Sequence, residues 1–311
     1  WTNMDSWHSS LTCLLPSHWS CSSLKNECGS GDSRRRKHQV MGTPTRVVAE
    51  LRFLGSGNAF SPPGRMHALT LLDGSILIDV PPTVLTQMRN FGVSPSQIRH
   101  LLITHWHADH CFGFPFLMLD RWKMGGMEGQ LEKLQIHCRP GGRKRLAELC
   151  EVGFPGSLTE EIEERCSWNE SESGELASTD WIFERFPVRH TPETDPHGYK
   201  LVHKSGLSIL HCGDSGPCEE IEQRARNSDI VILEMGVPDF VKSPHHHNPS
   251  DVAAFQMRHP HASVLVTHNF SKSQGSEIGF EIPVLPEGIL QIEDGDCLEI
   301  SESGQFSLIR K

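Results

Sequence analysis

Four side chains that can bind a metal ion lie between His105 and His110, in the pattern His-x-His-x-Asp-His. The apolar segment Ile98 to Ile103 directly precedes this motif and is typical of a buried strand, and Gly113 follows it. The motif therefore occupies a turn at a strand end, where side chains can converge on one point. Neutral imidazole and carboxylate are common ligands of zinc and similar divalent ions. A His-rich surface loop is the alternative, but this spacing after a buried strand favours a metal site. The candidate ligands are His105, His107, Asp109 and His110.

Three later residues of ligand type also stand just after apolar, strand-like segments. Taken singly, such a His is usually a surface or core residue, and an Asp after glycine is usually a turn former. Because strand ends on one edge of a sheet share a rim, these side chains can meet the first cluster. The combined set is too large for one tetrahedral ion and suits two ions that share a bridging carboxylate. The three residues are His190, Asp214 and His268.

The charge and cysteine content restrict the class of function. The chain has 311 residues and a net charge of −10. Binding to RNA requires basic side chains that neutralise phosphates, so the charge does not favour RNA as a substrate, although RNA remains a candidate. No apolar run approaches the ~18 residues that a membrane helix requires, and no membrane partner is expected. The 10 cysteines are scattered without a C-x-x-C pair. Free thiols near a metal site suit a reducing, cytoplasmic location.

The first 45 residues differ from the rest of the chain. They lack helical or strand periodicity and contain the basic run Arg34 to Lys37. We predict that residues 1–45 form a disordered N-terminal extension and that residues 46–311 form a single domain. The basic run in the extension is expected to be exposed to solvent rather than to act as a nuclear or nucleic-acid signal. Met41 is a candidate natural start.

From Arg46 onward, strand-like and helix-like segments alternate after a start that is typical of antiparallel strands. Asn248 followed by Pro249 is a typical helix N-terminus. A second helix is expected to open at Pro81. The acidic segment 157–178 is predicted to form a short exposed helix and a loop. This alternation favours a mixed α/β sandwich over an all-α or all-β fold.

The motif at His105 to His110 resembles the signature of the metallo-β-lactamase superfamily of hydrolases, and the likeness extends from about Arg46 to the C-terminus. The resemblance implies a four-layer αββα sandwich with the metal site at one edge, between the sheets. In that superfamily an aspartate on an early strand braces the His loop, and Asp79 matches it. The resemblance also implies that Asp214 bridges two ions. One ion would be bound by His105, His107 and His190, and the other by Asp109, His110 and His268.

Within the superfamily, the chain looks most like the ribonuclease Z and related phosphodiesterase branch. An acidic residue after a buried strand, Glu234, and a histidine before the helix at Asn248 match that branch. We assign this histidine to His246, with His247 as the alternative. A role in transfer-RNA processing is weakened because no long, Gly-rich basic arm is visible, and the acidic segment would repel phosphates. The branch is also matched by Phe53 to Gly57, Gly113 to Pro115, Gly198-Tyr199 and Gly213 to Ser215.

The resemblance implies a dinuclear metal-dependent hydrolase that cleaves a small-molecule or nucleotide phosphodiester with a metal-bound hydroxide. Zinc is expected, with manganese or iron as alternatives. Asp109 would orient the hydroxide, and His246, held by Glu234, would protonate the leaving oxygen. The same centre could hydrolyse lactones, esters or thioesters, because a fold does not fix a substrate. A di-iron redox or metal-binding protein and a noncatalytic binding module are further alternatives, and the sequence is compatible with a homodimer.

Overall fold

The computed structural model describes residues 46–125, 131–271 and 285–310. The predicted N-terminal extension and the candidate start at Met41 lie outside the described residues. The strands are β1 (Val47–Gly55), β2 (Leu69–Leu72), β3 (Ile76–Ile78), β4 (His100–Leu102), β5 (Leu134–His137), β6 (Cys166–Asn169), β7 (Ser173–Glu175), β8 (Trp181–Pro187), β9 (His197–His203), β10 (Ser208–His211), β11 (Ile230–Glu234), β12 (Ser263–Thr267), β13 (Ile289–Gln291), β14 (Cys297–Ser301) and β15 (Phe306–Ile309). The helices are α1 (Val84–Asn90), α2 (Ala108–Cys111), α3 (Phe114–Lys123), α4 (Gly142–Gly153), α5 (Thr159–Arg165), α6 (Glu219–Ala225) and α7 (Pro249–Arg258).

The described strands form two sheets. The first has the order β15-β14-β1-β2-β3-β4-β5-β6, and the second has the order β13-β12-β11-β10-β9-β8-β7. The first sheet is antiparallel from β1 to β3 and parallel from β3 to β6. In the second sheet, β10 to β13 are parallel and β8 to β10 antiparallel. This mixed pairing agrees with the predicted α/β class.

The two sheets lie between two layers of helices, and an apolar cluster fills each of the three interfaces. Each sheet can contact a layer on both sides because alternate side chains of a strand face opposite sides of its sheet. The middle cluster joins the two sheets through residues such as Phe53 and Trp181. A second cluster packs helices α1, α3, α4 and α5 on the first sheet and includes the fully buried Phe114. A third packs α6 and α7 on the second sheet around Phe255. The arrangement is the predicted αββα sandwich.

Two local predictions were wrong in part. The acidic segment does contain the helix α5, but strands β6 and β7 follow it where a loop was expected. β6 forms because its backbone pairs in parallel with β5, although its side chains do not alternate in polarity. The helix expected at Pro81 begins at Val84, whose N–H donates to the Pro81 carbonyl in a preceding turn. By contrast, α7 begins at Pro249 with the predicted Asn248 cap.

No helix within the described ranges has both the length and the apolar character needed to cross a membrane.

Two further histidines are buried between the layers and belong to neither group of candidate metal ligands. His100 on β4 and His137 on β5 face each other, with His100 Nδ1 3.1 Å from His137 Nε2. Burial lowers the pKa of His137 to about 3, and burial also lowers the pKa of His100. These rings are therefore neutral in the folded protein at neutral pH.

We expect this burial to make the protein less stable in mild acid. The unfolded chain takes up a proton at His137 near a pKa of ~6.5, whereas the folded chain takes it up only near 3. Between these values the unfolded state binds more protons, so the free energy of unfolding falls as the pH falls, by up to ~1.4 kcal/mol per pH unit. His137→Phe should reduce this slope when unfolding is measured between pH ~6 and ~4 in the same buffers as the wild type. Equal slopes for the two proteins would contradict the prediction.

Candidate metal centre

The candidate ligands stand at strand ends on one edge of the sandwich. Asp214, Glu234 and His268 follow or end β10, β11 and β12, which are parallel neighbours. β8 runs in the same direction as β10, because β9 is antiparallel to both, so His190 emerges at the same edge. The His105 motif follows β4 of the other sheet and continues into α2. The strand directions thus bring residues far apart in the chain to one rim.

The first ligand group combines three histidines with one carboxylate, and its ligand atoms all lie within 4.8 Å of one another. His107 Nδ1 is 3.0 Å from His105 Nε2 and 3.1 Å from His190 Nε2. Three imidazole nitrogens that face one point are a usual arrangement for a divalent ion such as zinc. The group consists of His105, His107, His190 and Asp214.

The second ligand group consists of His110, Asp214 and His268. Asp214 Oδ1 is 3.4 Å from His110 Nε2 and 3.2 Å from His268 Nε2. All three atoms are buried, and within the described residues none of them has a hydrogen-bond partner. Leaving buried polar atoms unpaired costs ~1–3 kcal/mol each, and a divalent cation between them would remove that cost. The residues present therefore fit a metal ion, and Asp214 belongs to both groups.

Asp109 borders the second group. It is not among the atoms that lie within 4.8 Å of one another, but its Oδ2 is 3.4 Å from His110 Nε2. Asp109 also lines the cleft above the two groups. This position is compatible with the predicted role as a ligand that contacts the attacking oxygen.

In four of the candidate histidine ligands, the ring nitrogen that faces away from the centre contacts an oxygen atom. Such contacts fix the tautomer and the ring orientation, so that the remaining nitrogen is free to bind a metal. In each of these four residues Nδ1 makes the contact and Nε2 is left for the centre. The contacts are His105 to Thr104 Oγ1 at 3.1 Å, His110 to Asp79 Oδ2 at 2.8 Å, His190 to the His245 carbonyl at 3.0 Å, and His268 to Thr267 Oγ1 at 2.8 Å.

Asp79 lies where the resemblance implied a brace for the His loop. Its Oδ1 accepts the Thr104 N–H at 2.8 Å, and its Oδ2 accepts the Thr104 hydroxyl at 2.7 Å and His110 Nδ1 at 2.8 Å. The Asp79 backbone is in the left-handed region, with φ of 65°, which is uncommon for a residue other than glycine. Asp79 thus connects the backbone just before the motif to the ring of one candidate ligand, His110.

The electrostatics of the centre favour the metal-binding protonation state of Asp214 and of three of the histidines. Burial lowers the pKa of His105, His190 and His268, which keeps these rings neutral. Burial raises the pKa of Asp214, but His268 and His110 more than offset this and hold its pKa well below the usual range. Neutral imidazole and ionised carboxylate are the forms that coordinate a divalent ion. His110 differs: burial lowers its pKa, but the carboxylates of Asp214, Asp79 and Asp109 outweigh this and raise the pKa well above its usual value.

The buried Glu234 and the half-buried His246 form a pair beside the centre. His246 Nδ1 is 2.8 Å from Glu234 Oε1, and the same carboxylate accepts the backbone N–H groups of Ser215 and Gly236. Burial raises the pKa of Glu234 to about 7. Burial lowers the pKa of His246, but the hydrogen bond and the charge of Glu234 outweigh it and raise the pKa to about 9. A protonated His246 can therefore donate a proton in the cleft at neutral pH.

The two candidate acids of the His245-His246-His247 run differ in position. His246 lines the cleft, whereas His247 is buried and does not line it. His247 Nδ1 is 2.5 Å from the Ser215 carbonyl, and burial lowers its pKa to about 4. This geometry supports His246 as the acid.

Two cysteines lie close to the ligands in sequence but belong to neither group. Cys212 is buried in the apolar cluster between the second sheet and its helices. Cys111 donates from Sγ to the His107 carbonyl at 3.2 Å. Burial raises the pKa of Cys111 to about 12 and that of Cys212 well above its usual value. Both thiols remain protonated, and metal ligation requires the thiolate.

The two ligand groups open into a cleft of about 250 Å³. Sequence reasoning did not single out two of its lining residues, Asn58 and Phe60. Asn58 belongs to the Gly-rich, turn-forming stretch Gly55 to Ala59, which indicates a change of chain direction but not what the turn faces, and Phe60 directly follows that stretch. The cleft is lined by Asn58, Ala59, Phe60, His107, Asp109, Asp214, Glu234, Gly236, Val237, His246 and His268.

Known proteins resemble this chain in sequence and fold. A model of the β-lactamase superfamily domain matches residues 75–269. A ribonuclease Z from Pyrococcus abyssi is 28% identical over 234 residues, which cover 60% of this chain and 74% of that protein. Among solved structures, human tRNase Z, short form, is 21% identical with a TM-score of 0.58, covering 80% of this chain and 98% of its own. A diphosphatase from the PhnP family is 22% identical with a TM-score of 0.58, and the match covers 82% of this chain and 98% of that protein. These structural likenesses confirm the predicted fold.

Proposed function

This metal-dependent hydrolase belongs to the β-lactamase superfamily, and we propose that it hydrolyses phosphodiester bonds with two divalent metal ions. The observation that carries the proposal is the position of Asp214, whose carboxylate belongs to both ligand groups. A carboxylate shared between two groups of histidines is the usual bridge of a dinuclear site. The likeness to a ribonuclease Z supports the phosphodiester as substrate class.

The ligands divide between the two ions as the geometry groups them. His105, His107 and His190 would hold one ion, and His110 and His268 the other, with Asp214 shared. Asp109 would complete the second set from its place beside His110. When bound, such ions supply a water of lowered pKa and stabilise negative charge on the phosphoryl oxygens. Zinc suits this His and Asp donor set.

The protein's own residues position the substrate and move the proton. Asp109 lines the cleft and orients the attacking oxygen by accepting its hydrogen bond. His246, held through Nδ1 by Glu234, protonates the leaving oxygen from Nε2 as the ester bond breaks. Without that proton, an unactivated alcohol would have to leave as an alkoxide, which is unfavourable at neutral pH.

The charges of the cleft favour a diester over more highly charged phosphates. None of the described residues that line the cleft is Lys or Arg. Positive charge for the phosphoryl group therefore comes mainly from the two ions and His246. A phosphodiester carries a single negative charge, whereas monoesters and polyphosphates carry more. The net charge of −10 further favours a small nucleotide diester over a long RNA.

The substrate class is tested by parallel assays on the metal-loaded protein. Bis-p-nitrophenyl phosphate should be hydrolysed far faster than p-nitrophenyl phosphate, a lactone series or a thioester. The diester and the monoester release the same nitrophenolate. The ratio of their rates therefore reports how the enzyme responds to the second ester group and to the charge of the phosphate. Faster turnover of a lactone or thioester than of any diester would reject the phosphodiesterase proposal while leaving the metal centre intact.

The number of ions is a separate prediction. We expect elemental analysis of the purified protein to find about two divalent ions per chain, because the two ligand groups share one carboxylate. The same measurement identifies the metal as zinc, manganese or iron. One tightly bound ion, with no second site filled under metal excess, would contradict the dinuclear centre.

A further inference from the structure

We propose that Phe60 forms a nucleobase-binding subsite at the rim of the cleft, so that the substrates are phosphodiesters that carry a nucleoside. This inference deepens the proposed function and rests on it. It concerns an aromatic side chain that contacts the substrate outside the metal centre and would determine which diesters are preferred.

The position of Phe60 carries the inference. The residue is 89% exposed, although a phenylalanine ring is apolar and is normally buried. It lines the same cleft as His107, Asp109 and His246. Single exposed apolar residues are common on protein surfaces. An aromatic ring beside a cleft that contains candidate metal ligands is different, because it provides an exposed apolar surface near the proposed reacting group.

The backbone that carries Phe60 is firmly held. The Phe60 N–H donates to Asn58 Oδ1 at 3.1 Å, and the Ser61 N–H donates to the Asn58 carbonyl at 3.0 Å. The other end of the loop is anchored by Arg65, whose buried guanidinium donates to the Ser271 carbonyl at 2.8 Å and to Ser56 Oγ at 2.6 Å. A ring presented on an ordered loop can bind a base without first paying the entropy of ordering that loop.

The size of the cleft places a base at its rim. A volume of about 250 Å³ is below the ~300–1,000 Å³ of pockets that enclose whole drug-sized ligands. The phosphoryl group and the adjoining sugar can fill the interior, next to His107 and Asp109. The base of a nucleotide would then extend outward to the rim, where the exposed aromatic ring of Phe60 lies. Bases stack on aromatic side chains with little dependence on their identity.

Direct binding to the metal-loaded protein tests the subsite without relying on turnover. Calorimetry would compare adenosine 5′-monophosphate and adenosine 3′-monophosphate with ribose 5-phosphate, which lacks a base. At least one nucleotide should bind about 5- to 150-fold more tightly than ribose 5-phosphate, the gain typical of one stacked base. Phe60→Ala should remove that gain without changing the affinity for ribose 5-phosphate. Because the side chain is exposed, the variant should fold normally, which its melting temperature would verify.

Further variants separate stacking from simple apolar contact. Phe60→Trp should keep the preference for a base, whereas Phe60→Leu, which is apolar but has no aromatic face, should lose it. Phe116→Ala serves as a matched control, because Phe116 is 45% exposed and does not line the cleft. The inference is overturned if neither nucleotide binds more tightly than ribose 5-phosphate, if Phe60→Ala leaves the gain intact, or if Phe60→Leu retains it. If diesters are not hydrolysed but the Phe60-dependent preference for a base persists, the proposed function fails and the subsite stands.

Discussion

Asp214→Ala is expected to abolish the proposed dinuclear centre, with metal content falling below about two ions per chain and hydrolysis of a diester falling by more than ~10²-fold. The physical reason is that Asp214 is the one residue common to both ligand groups. Its removal takes an anionic ligand from each proposed ion and leaves His110 and His268 without the carboxylate that lies between them. Removing even a single preorganised electrostatic contact typically costs ~10²–10³-fold in rate. Elemental analysis and turnover of bis-p-nitrophenyl phosphate measure the two effects.

The matched control is Cys212→Ala, two residues away on the same strand end. Cys212 lies in the apolar cluster on the helix side of the sheet, so its loss should leave a small cavity but keep the metal content. Asp214→Asn adds a further comparison, because it keeps the size of the side chain and removes its charge. Loss of metal in Cys212→Ala with full metal content in Asp214→Ala would overturn the assignment. Circular dichroism of each variant distinguishes metal loss from misfolding.

His246→Ala is expected to slow substrates with poor leaving groups by ~10²–10⁴-fold, the usual contribution of general acid catalysis. The metal content should stay unchanged, because His246 belongs to neither ligand group. A nitrophenolate leaves without protonation, so bis-p-nitrophenyl phosphate should be affected much less than a dinucleoside phosphate. The measured quantity is the ratio of the two rates in the wild type and the variant.

His247→Ala is the control for this experiment. His247 is buried against the Ser215 carbonyl and does not reach the cleft, so its loss should lower stability rather than the ratio of the two rates. If His246→Ala slows both substrates equally, or if His247→Ala instead slows the dinucleoside phosphate selectively, His246 is not the acid.

Local sequence pattern was sufficient for the elements that carry the site. The apolar run before His105 indicated a strand, and the cap at Asn248 indicated the start of α7, because both depend on residues adjacent in the chain. The placement of His190, Asp214 and His268 at strand ends predicted a shared rim, and the structure brings their ligand atoms together there. The position of Asp79 came from the resemblance to a family rather than from local pattern.

Other features depended on contacts between distant segments. The acidic sequence after α5 contains no strand signal, yet its backbone pairs with β5 because that edge of the first sheet was open. Three consecutive histidines have the same local chemistry, and only the packing of their loop against Ser215 and Glu234 decides that His246 enters the cleft.

The sequence by itself therefore determined the candidate ligands, the strand ends that carry them and the α/β class, because periodicity and spacing are local properties of the chain. Only the tertiary structure decided which side chains line the cleft. Phe60 has no sequence signal that separates it from a buried phenylalanine, and its exposure beside His107 results from the turn held by Asn58 and Arg65. The physical reason is that the direction of a side chain in a loop is set by hydrogen bonds to segments up to two hundred residues away, which local pattern does not encode.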